Sequence, residues 1–221
     1  DNLNDYLVDD TGQNQIENNT WLRSHGGNKN LKFNNSKFNI TPENISNLKL
    51  KWKIQTIKPN KIKKYWKQNI EINPVFIDNK IIFVSADLKI IAVNVVSGKV
   101  IWEMQSIDEP ARRGMVLSKE NNNKYLFINI KNNLYKINIE NGELEKKFGG
   151  KGHINTGGSL IAPVLFNNNI YISSFDKVVG YNIETGEEFS KVSFHPSGRK
   201  FWGGIPWSGS ALDENYGILY V

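Results

Sequence analysis

The sequence predicts an all-β fold built from repeated four-stranded antiparallel sheets, and two observations carry that prediction. The first is the composition of residues 71–102, where four short runs rich in Val and Ile alternate with turn residues. Runs this short, bounded by Asp, Asn, Ser and Gly, are typical of strands joined by tight turns. Four strands are therefore expected here, at residues 75–77, 81–84, 90–96 and 100–102.

The second observation is that this unit recurs along the chain. Its ending, AVNVVSG at residues 92–98, returns as KINIENG at 136–142 and as GYNIETG at 180–186, so that the last glycine recurs every 44 residues. Its beginning, PVFIDNKII from Pro74, returns as PVLFNNNIY from Pro163. Ordinary hairpins would not keep this register over three copies. A period of roughly 40–50 residues with four strands per repeat is the signature of a β-propeller.

The composition agrees with a folded domain and excludes several classes of protein. With 221 residues, of which 39% are hydrophobic, the chain can bury a substantial core. It has no apolar run of about 18 residues, which excludes a membrane-spanning helix. It has no cysteine, which excludes disulfides, thiolate metal sites and a cysteine nucleophile. Residues 1–19 are polar and are expected to form an extended arm, followed by one propeller domain over residues 20–221.

The net charge of +6 raises the question of a nucleic-acid partner. The clearest basic cluster, residues 58–67, mixes lysines with Tyr65 and Trp66, and such a mixture can follow a phosphate backbone and stack on bases. The sequence contains no nucleic-acid-binding motif, however. A solvated loop between strands is therefore favoured, and no nucleic-acid partner is expected.

The residues before the first repeat predict a short helical turn and then a strand. Thr41 is expected to be the N-cap of the turn, with Pro42 at its first helical position. Leu48, Leu50 and Trp52 then alternate with other residues, as they would in a strand.

A series of short motifs runs through residues 20–221 at characteristic spacing. They are Trp21, Gly26-Gly27-Asn28, Phe33, Ile40, Pro42, Asn44, Leu48, Trp52, Glu71, Pro74, Asn94, Ser97-Gly98, Trp102, Arg113-Gly114, Phe148-Gly149, Gly152, Phe194-His195-Pro196, Trp207, Asp213 and the final segment from Gly217. Taken in this order, they resemble the N-terminal part of the quinoprotein alcohol and glucose dehydrogenases, which depend on pyrroloquinoline quinone (PQQ).

Members of that family are eight-bladed propellers that hold PQQ and a calcium ion on the central axis. The resemblance implies a dehydrogenase of the bacterial periplasm that oxidises an alcohol or sugar by hydride transfer to PQQ, with calcium as Lewis acid and a quinone or cytochrome as electron acceptor. At its 44-residue period the chain has room for about four blades, and it stops within a strand at Val221. Because an open half-propeller would expose an unpaired edge, we expect the N-terminal half of a longer protein, or half of a closed assembly, with the remaining blades needed for closure.

The resemblance also assigns cofactor-binding residues. Trp207 matches the family's tryptophan that forms a flat floor for the quinone, and Arg113 matches an arginine that pairs with the quinone oxygens, a task that suits the guanidinium fork. Glu71 matches a glutamate at the rim of the cofactor. Ser174 lies near a family serine that contacts the quinone, about one residue out of register. The family's catalytic aspartate is expected beyond Val221, so these 221 residues alone are expected to be inactive.

The sequence departs from the family pattern in three places. Residues 110–112 are Pro-Ala-Arg where members often have two adjacent cysteines before the arginine, and Leu160 replaces a threonine. After Ser174 the calcium-binding glutamate of the family is missing, which leaves Asp176 as the candidate metal ligand. The loss of the cysteine pair and of the calcium glutamate supports an alternative to the dehydrogenase. This alternative is a cofactor-free propeller of the same repeat family that acts as a periplasmic binding or scaffold protein, as outer-membrane assembly lipoproteins do.

The repeats differ at the position that docks one blade on the next. Trp102 occupies this position in the first repeat, Lys146 in the second and Ser190 in the third. Because a buried tryptophan dominates local packing, Trp102 is expected to anchor its blade, and the later blades are expected to be held less firmly.

Overall fold

The computed structural model describes residues 20–30, 40–56, 71–120, 122–194 and 209–221, without the side chain of Arg112. The polar arm predicted at residues 1–19, the basic cluster at 58–67 and the predicted floor residue Trp207 lie outside these ranges. In the part of the chain that is described, no helix is long and apolar enough to cross a membrane.

The described residues form three complete four-stranded antiparallel sheets and the beginning of a fourth, which confirms the predicted fold class. In each complete sheet the strands neighbour one another in sequence order. Blade 1 contains β1 (Val75–Ile77), β2 (Lys80–Val84), β3 (Lys89–Asn94) and β4 (Val100–Gln105); blade 2 contains β5 (Pro110–Glu120), β6 (Asn123–Ile130), β7 (Asn133–Asn138) and β8 (His153–Asn155); blade 3 contains β9 (Val164–Phe166), β10 (Asn169–Ser173), β11 (Lys177–Asn182) and β12 (Glu188–Ser193); blade 4 begins with β13 (Ala211–Asp213) and β14 (Ile218–Tyr220).

The turn residues that punctuate the sequence make the hairpins. Asp78 and Asn79 join β1 to β2 with φ angles of 48° and 58°, and Asn167 and Asn168 join β9 to β10 with φ angles of 48° and 59°. Two consecutive residues in the left-handed region are typical of type I′ turns, whose twist matches that of the strands they connect, and Asn and Asp tolerate this conformation best after Gly. The tight turns predicted from the sequence are therefore formed.

The blades stack face to face, and the first strand of each blade is its innermost strand. Strand β1 contacts β5, and β5 contacts β9. Strand β6 alternates between two apolar clusters: Leu126 and Ile128 point into the cluster shared with blade 1, and Tyr125 and Phe127 into the cluster shared with blade 3. This period-2 alternation with both faces buried is what a blade inside a propeller requires.

Residues 20–30 run along the axis and contact all four blades. Trp21 pairs with Phe76 of blade 1, and Arg23 pairs with Val116 of blade 2. Further along this segment, which we call the axial segment, the carbonyl of Asn28 accepts a hydrogen bond of 2.9 Å from Leu212 of blade 4. Because these contacts join blades that are distant in sequence, the axial segment ties the partial propeller together at its centre.

Tryptophans dock on two of the repeated glycines in the same way. Trp52 lies against Gly98, where an added Cβ would stand 2.6 Å from the ring, and its indole N–H donates to the carbonyl of Val95 at 2.8 Å. Trp102 lies against Gly142 and donates to the carbonyl of Ile139 at 2.7 Å. In both cases the accepting carbonyl belongs to the residue three positions before the glycine. Each tryptophan therefore stacks on, and hydrogen-bonds to, the turn that ends with the repeated glycine.

The segment before the first blade differs from its prediction in two respects. The helical turn is a 3-10 turn over Ile45–Asn47, and the residue at its N-cap is Asn44 rather than Thr41. The side chain of Asn44 instead accepts a hydrogen bond of 2.7 Å from the N–H of Thr41. Residues 48–56 are not paired as a strand, so the strand predicted there from the alternation of apolar residues was wrong; Trp52 is held by its own docking contacts.

Candidate functional site

The predicted site residues that the structure describes lie at one edge of the blades. In an antiparallel sheet of four strands, the start of the first strand and the turn between the second and third strands lie at the same ends of the strands. We call this side of each blade the upper edge. Glu71 precedes β1, and Arg113 lies near the start of β5. Ser174 and Asp176 lie in the turn between β10 and β11. The structure therefore brings these four residues to the upper edge, while Trp207 lies outside the described residues.

Arg113 lies at the point where blade 2 touches blade 3. It belongs to a bulge in β5, where the pairing with β6 shifts between Pro110 and Met115. Its backbone N–H donates to the carbonyl of Leu160 at 2.9 Å, and its side chain is half-buried. The next residue is Gly114, with a φ angle of 152°, and a Cβ there would stand 2.4 Å from the Cβ of Ala162. The bulge and the glycine thus let the two inner strands approach closely beside the Arg113 side chain.

Buried serines connect this contact to the turn that holds Ser174. The hydroxyl of Ser159 donates to the carbonyl of Ser173 at 2.6 Å, and the hydroxyls of Ser173 and Ser210 are 2.9 Å apart. Ser174 is buried, and its hydroxyl donates to the carbonyl of Lys177 within its own turn at 3.3 Å. Residues 159–161 contact both Arg113 and Ser173, so one short segment connects the arginine to the serine turn.

A second connection joins the Glu71 region to Arg113. The hydroxyl of Ser24 in the axial segment donates to the carbonyl of Asn73 and accepts from the N–H of Met115, each at 3.0 Å. Asn73 and Met115 lie two residues after Glu71 and Arg113 respectively. Ser24 therefore connects the segments that contain Glu71 and Arg113, and the side chain of Glu71 is exposed.

Arg23 is a residue beside the site that the sequence did not single out. Its side chain is only 1% exposed, and its guanidinium donates to the carbonyls of Pro163 (2.9 Å), Ala162 (3.0 Å) and Gly27 (3.2 Å). Burial lowers the pKa of Arg23 to about 10. A single arginine in a polar stretch gives no periodic signal, so only the structure reveals this link between the axial segment and blade 3.

The acidic residues of the described chain do not assemble a metal centre. Asp176 is half-buried, and its backbone carbonyl accepts a hydrogen bond of 2.8 Å from Phe194. Among the residues described by the structure, no three His, Cys, Asp or Glu side chains come together as they would around a metal ion. The candidate ligand Asp176 is therefore not part of a cluster of three such side chains in these ranges.

Comparison with known proteins gives a family match and a set of similar structures. The family model for the glucose/ethanol/alcohol dehydrogenase β-propeller domain matches residues 21–191. The quinohemoprotein alcohol dehydrogenase ADHIIG of Pseudomonas putida HK5 superimposes with a TM-score of 0.62 at 16% identity, over 90% of this chain and 34% of that one. The quinohemoprotein alcohol dehydrogenase of Comamonas testosteroni gives 0.59 at 16% identity, over 85% and 29%. A europium-containing methanol dehydrogenase gives 0.57 at 14% identity, over 79% and 32%.

These comparisons differ in what they establish. Sequence comparison with curated proteins finds no match. At identities of 14–16% the structural likeness shows the fold alone, and the chain spans about a third of the length of the similar structures. The family match, by contrast, extends over most of the chain and includes the repeats, the docking glycines and Arg113. The chain therefore belongs to the family of PQQ β-propeller domains found in glucose, ethanol and alcohol dehydrogenases.

Proposed function

We propose that this chain is part of a PQQ-dependent dehydrogenase that oxidises an alcohol or sugar hydroxyl. The observation that carries the proposal is the place of Arg113. It matches the family's cofactor-binding arginine, and it lies at the upper edge on an innermost strand, where residues 159–161 connect it to the Ser174 turn. PQQ supplies the chemistry when bound, by accepting the hydride from the substrate carbon.

Arg113 would hold the cofactor through its guanidinium group. A guanidinium presents parallel N–H donors and keeps its charge, so it suits the carboxylates and quinone oxygens of PQQ. The side chain is half-buried, which reduces competition from water and strengthens each charge-assisted hydrogen bond. The bulge before Met115 and the backbone bond to Leu160 fix the base of the side chain. Arg113 would therefore orient the ring rather than move a proton.

The other proposed contacts have simpler tasks. The hydroxyl of Ser174 would donate to a cofactor oxygen after exchanging its present bond to Lys177, which is long at 3.3 Å and hence weak. Glu71, exposed at the rim, would accept a hydrogen bond from the cofactor or the substrate. Trp207 would provide the flat apolar surface below the ring. Together these groups would bind PQQ, orient it and exclude water from one of its faces.

Calcium is assigned no step in this proposal. The ion prefers roughly six to eight oxygen ligands, and the described residues offer Asp176 without a group of three acidic or histidine side chains around it. Asp176 therefore remains a candidate calcium ligand without a defined role in the proposal.

The remaining parts of the proposal follow from the family. We propose that further blades close the propeller, that the enzyme works in the bacterial periplasm and that it passes electrons to a quinone or cytochrome. Apolar side chains on the open flank of blade 1, among them Leu48 and Leu50, are exposed. Covering this flank with another blade would remove apolar surface from water, which favours closure.

A PQQ titration tests the proposed function. PQQ is added to the protein at its full natural length, with and without calcium, while cofactor absorbance and dye reduction by added alcohols and sugars are followed. Arg113→Ala is expected to weaken PQQ binding about tenfold or more, because it removes charge-assisted hydrogen bonds, and Trp207→Ala is expected to weaken it as well. Lys131→Ala is the matched control, since this exposed lysine at the same edge pairs with Asp108.

The titration separates the proposed enzyme from its alternative. Saturable binding that weakens in Arg113→Ala and not in Lys131→Ala supports the dehydrogenase and leaves the substrate to be identified. Failure of the wild-type protein to bind PQQ overturns the proposal and favours the cofactor-free scaffold. Binding that is equally strong in Arg113→Ala removes the arginine from the site.

A further inference from the structure

Among the described residues, no tryptophan docks at the interface between blades 2 and 3, and other side chains cover its glycine. Gly186 occupies the place of the docking glycines in blades 1 and 2 and has a φ angle of 78°. A Cβ there would stand 2.6 Å from Ile154 and 3.2 Å from the ring of Phe148. The N–H of Gly149 also donates to the carbonyl of Thr185 at 2.8 Å. Two smaller side chains thus supply the apolar cover that one indole ring supplies elsewhere.

The hydrogen bond of the missing tryptophan is made by a lysine. At Gly98 and at Gly142 an indole N–H donates to the carbonyl three residues before the glycine. At Gly186 that carbonyl belongs to Ile183, and it accepts a hydrogen bond of 2.9 Å from Nζ of Lys136. An ammonium group on β7 therefore occupies the hydrogen-bonding position that a neutral indole occupies in the preceding blades.

The ammonium of Lys136 is buried and forms an ion pair with a carboxylate. The lysine is 2% exposed, and its Nζ lies 2.6 Å from the carboxylate of Glu120. Glu120 also accepts a hydrogen bond of 2.7 Å from Ser118. Nζ also lies over the face of the Tyr125 ring, 4.3 Å from the ring centroid, which is a cation–π arrangement. Breaking such a pair leaves an uncompensated charge in the interior, which is strongly unfavourable, so the pair holds the carbonyl of Ile183 in one position.

Blades 2 and 3 share an apolar cluster, and two further contacts join them at opposite edges. One is the contact between Arg113 and Leu160 at the upper edge. The other is the contact between Lys136 and Ile183; because Ile183 follows the end of β11, it lies at the opposite, lower edge. A blade attached at one edge can swing about it, whereas attachments at both edges fix the angle. The contacts at the lower edge, from Lys136 to Ile183 and from Gly149 to Thr185, therefore limit how far the upper edges of the two blades can separate.

We infer that the Lys136–Glu120 pair is a clamp that sets the angle between blades 2 and 3 and thereby positions Arg113 relative to Ser174. The second half of this inference rests on the proposed function, because Arg113 and Ser174 matter for catalysis if they hold PQQ. Lys136 is a positioning residue, since it is buried at the lower edge and touches neither of them in the structure.

Spin-label distances test the clamp without any cofactor. These 221 residues contain no cysteine, so Ile107→Cys and Phe175→Cys give a unique label pair once any cysteine in the rest of the full-length protein has been replaced by serine. Both side chains are exposed, at 81% and 57%, and they lie at the upper edge in the connection before β5 and in the turn after β10 respectively. Double electron–electron resonance on the labelled protein at its full natural length would report the separation of blades 2 and 3.

The variants separate positioning from stability. Lys136→Met keeps the length of the side chain and removes the charge, and we expect it to widen the distance distribution about twofold or more at a temperature at which circular dichroism shows every variant fully folded. Lys136→Arg keeps the charge and is expected to restore the wild-type distribution. Glu120→Gln is a milder variant that serves if Lys136→Met does not fold. Lys80→Met is the matched control, because Lys80 pairs with Glu140 across the other interface.

A PQQ titration of the same variants tests the second half of the inference. Lys136→Met is expected to weaken PQQ binding about tenfold, and Lys136→Arg to leave it within about twofold, because small displacements of positioning groups weaken the contacts they support. An unchanged distance distribution in folded Lys136→Met overturns the clamp. A wider distribution with unchanged PQQ affinity overturns the positioning of Arg113. A wider distribution in a protein whose wild type does not bind PQQ supports the clamp and overturns the proposed function.

Discussion

Trp102 and Gly142 form the docking contact between blades 1 and 2. The indole ring lies where a side chain on the glycine would be, 2.8 Å from the position of a Cβ. The glycine has a φ angle of 77°, so it combines a backbone conformation that favours glycine with a surface flat enough for an aromatic ring. The recurrence of this glycine every 44 residues is therefore a consequence of blade stacking.

Replacing Trp102 tests how much this contact stabilises the fold. The side chain is 8% exposed, so Trp102→Ala would lose buried area and leave a cavity, and we expect it to lower the free energy of unfolding by about 3–5 kcal/mol. Trp102→Phe keeps a ring on Gly142 but loses the hydrogen bond to Ile139, with an expected loss of about 1–2 kcal/mol. Urea or guanidinium unfolding monitored by circular dichroism measures both.

The neighbouring residue provides the control for this series. Ile101 lies in the same strand but is 41% exposed, and Ile101→Ala is expected to cost less than about 1 kcal/mol. If Trp102→Ala also cost less than about 1 kcal/mol, Trp102 would not be a packing anchor.

A pair of glycines separates ring contact from backbone strain. Gly142 and Gly150 have similar φ angles, 77° and 74°, but a Cβ on Gly150 would meet no atom within 4 Å. Gly150→Ala is therefore expected to cost only the left-handed conformation, about 1–2 kcal/mol. Gly142→Ala adds a clash with Trp102 and is expected to cost at least about 2 kcal/mol more. Equal losses in thermal or denaturant unfolding would mean that the Trp102 ring moves aside without cost.

The sequence predicted those parts of the fold that are repeated or conformationally restricted. Gly98 and Gly142 can be recognised in the sequence because no other residue serves equally well at a left-handed position beneath a tryptophan ring. The turn at Asp78 and Asn79 can be recognised because few residue types form a two-residue turn with positive φ angles. The strand expected around Leu50 was wrong because alternation of apolar residues does not supply a neighbouring strand, and strand formation depends on that partner.

The residues around the site were harder to predict because their roles depend on contacts between distant segments. Arg113 was found through the motif around it, and the structure places it on an inner strand at the upper edge. Ser24 and Arg23 were not found, since a serine or arginine in a polar stretch looks like a solvated residue until its partners are known. Lys136 gave no signal for the same reason: a buried lysine is rare, and the sequence does not show that Glu120 lies beside it.

Replacing Arg23 tests whether the axial segment stabilises the blades. Its guanidinium donates to the carbonyls of Pro163 and Ala162 on blade 3, and Arg23→Met would leave these buried acceptors without their donors. We expect a loss of about 3 kcal/mol in unfolding free energy, because unsatisfied buried polar groups cost about 1–3 kcal/mol each and part of the cost of burying the cation is recovered. Denaturant unfolding gives the value.

Two further variants sharpen the Arg23 prediction. Arg23→Lys keeps the charge, but a point-like ammonium cannot reach both carbonyls as the planar guanidinium does, so it is expected to recover only part of the loss. Lys99→Met, at an exposed lysine, is expected to change stability by less than about 0.5 kcal/mol. An Arg23→Met protein as stable as wild type would show that the axial segment does not depend on this side chain.

The alkaline stability of the protein is expected to depend on Tyr125. Burial, and secondarily the hydrogen bond from its hydroxyl to Glu145, raise the pKa of Tyr125 to about 12, whereas an unfolded tyrosine has a pKa of about 10. Between these values the unfolded chain releases a proton that the folded chain retains. The stability contributed by the neutral phenol is therefore complete below about pH 10 and is lost as the pH rises towards about 12. Urea unfolding at a series of pH values from about 8 to 11 should show this decline.

Tyr125→Phe isolates the contribution of this residue. The variant is expected to lose about 1 kcal/mol at neutral pH with the hydrogen bond to Glu145, but its stability should fall less steeply above about pH 10, because the group that the folded state keeps protonated is gone. Tyr216→Phe is the control, since the Tyr216 side chain is 80% exposed, and it should leave the wild-type slope unchanged. A Tyr125→Phe protein that declines as steeply as wild type would mean that other groups cause the alkaline loss and that the phenol of Tyr125 does not couple to folding.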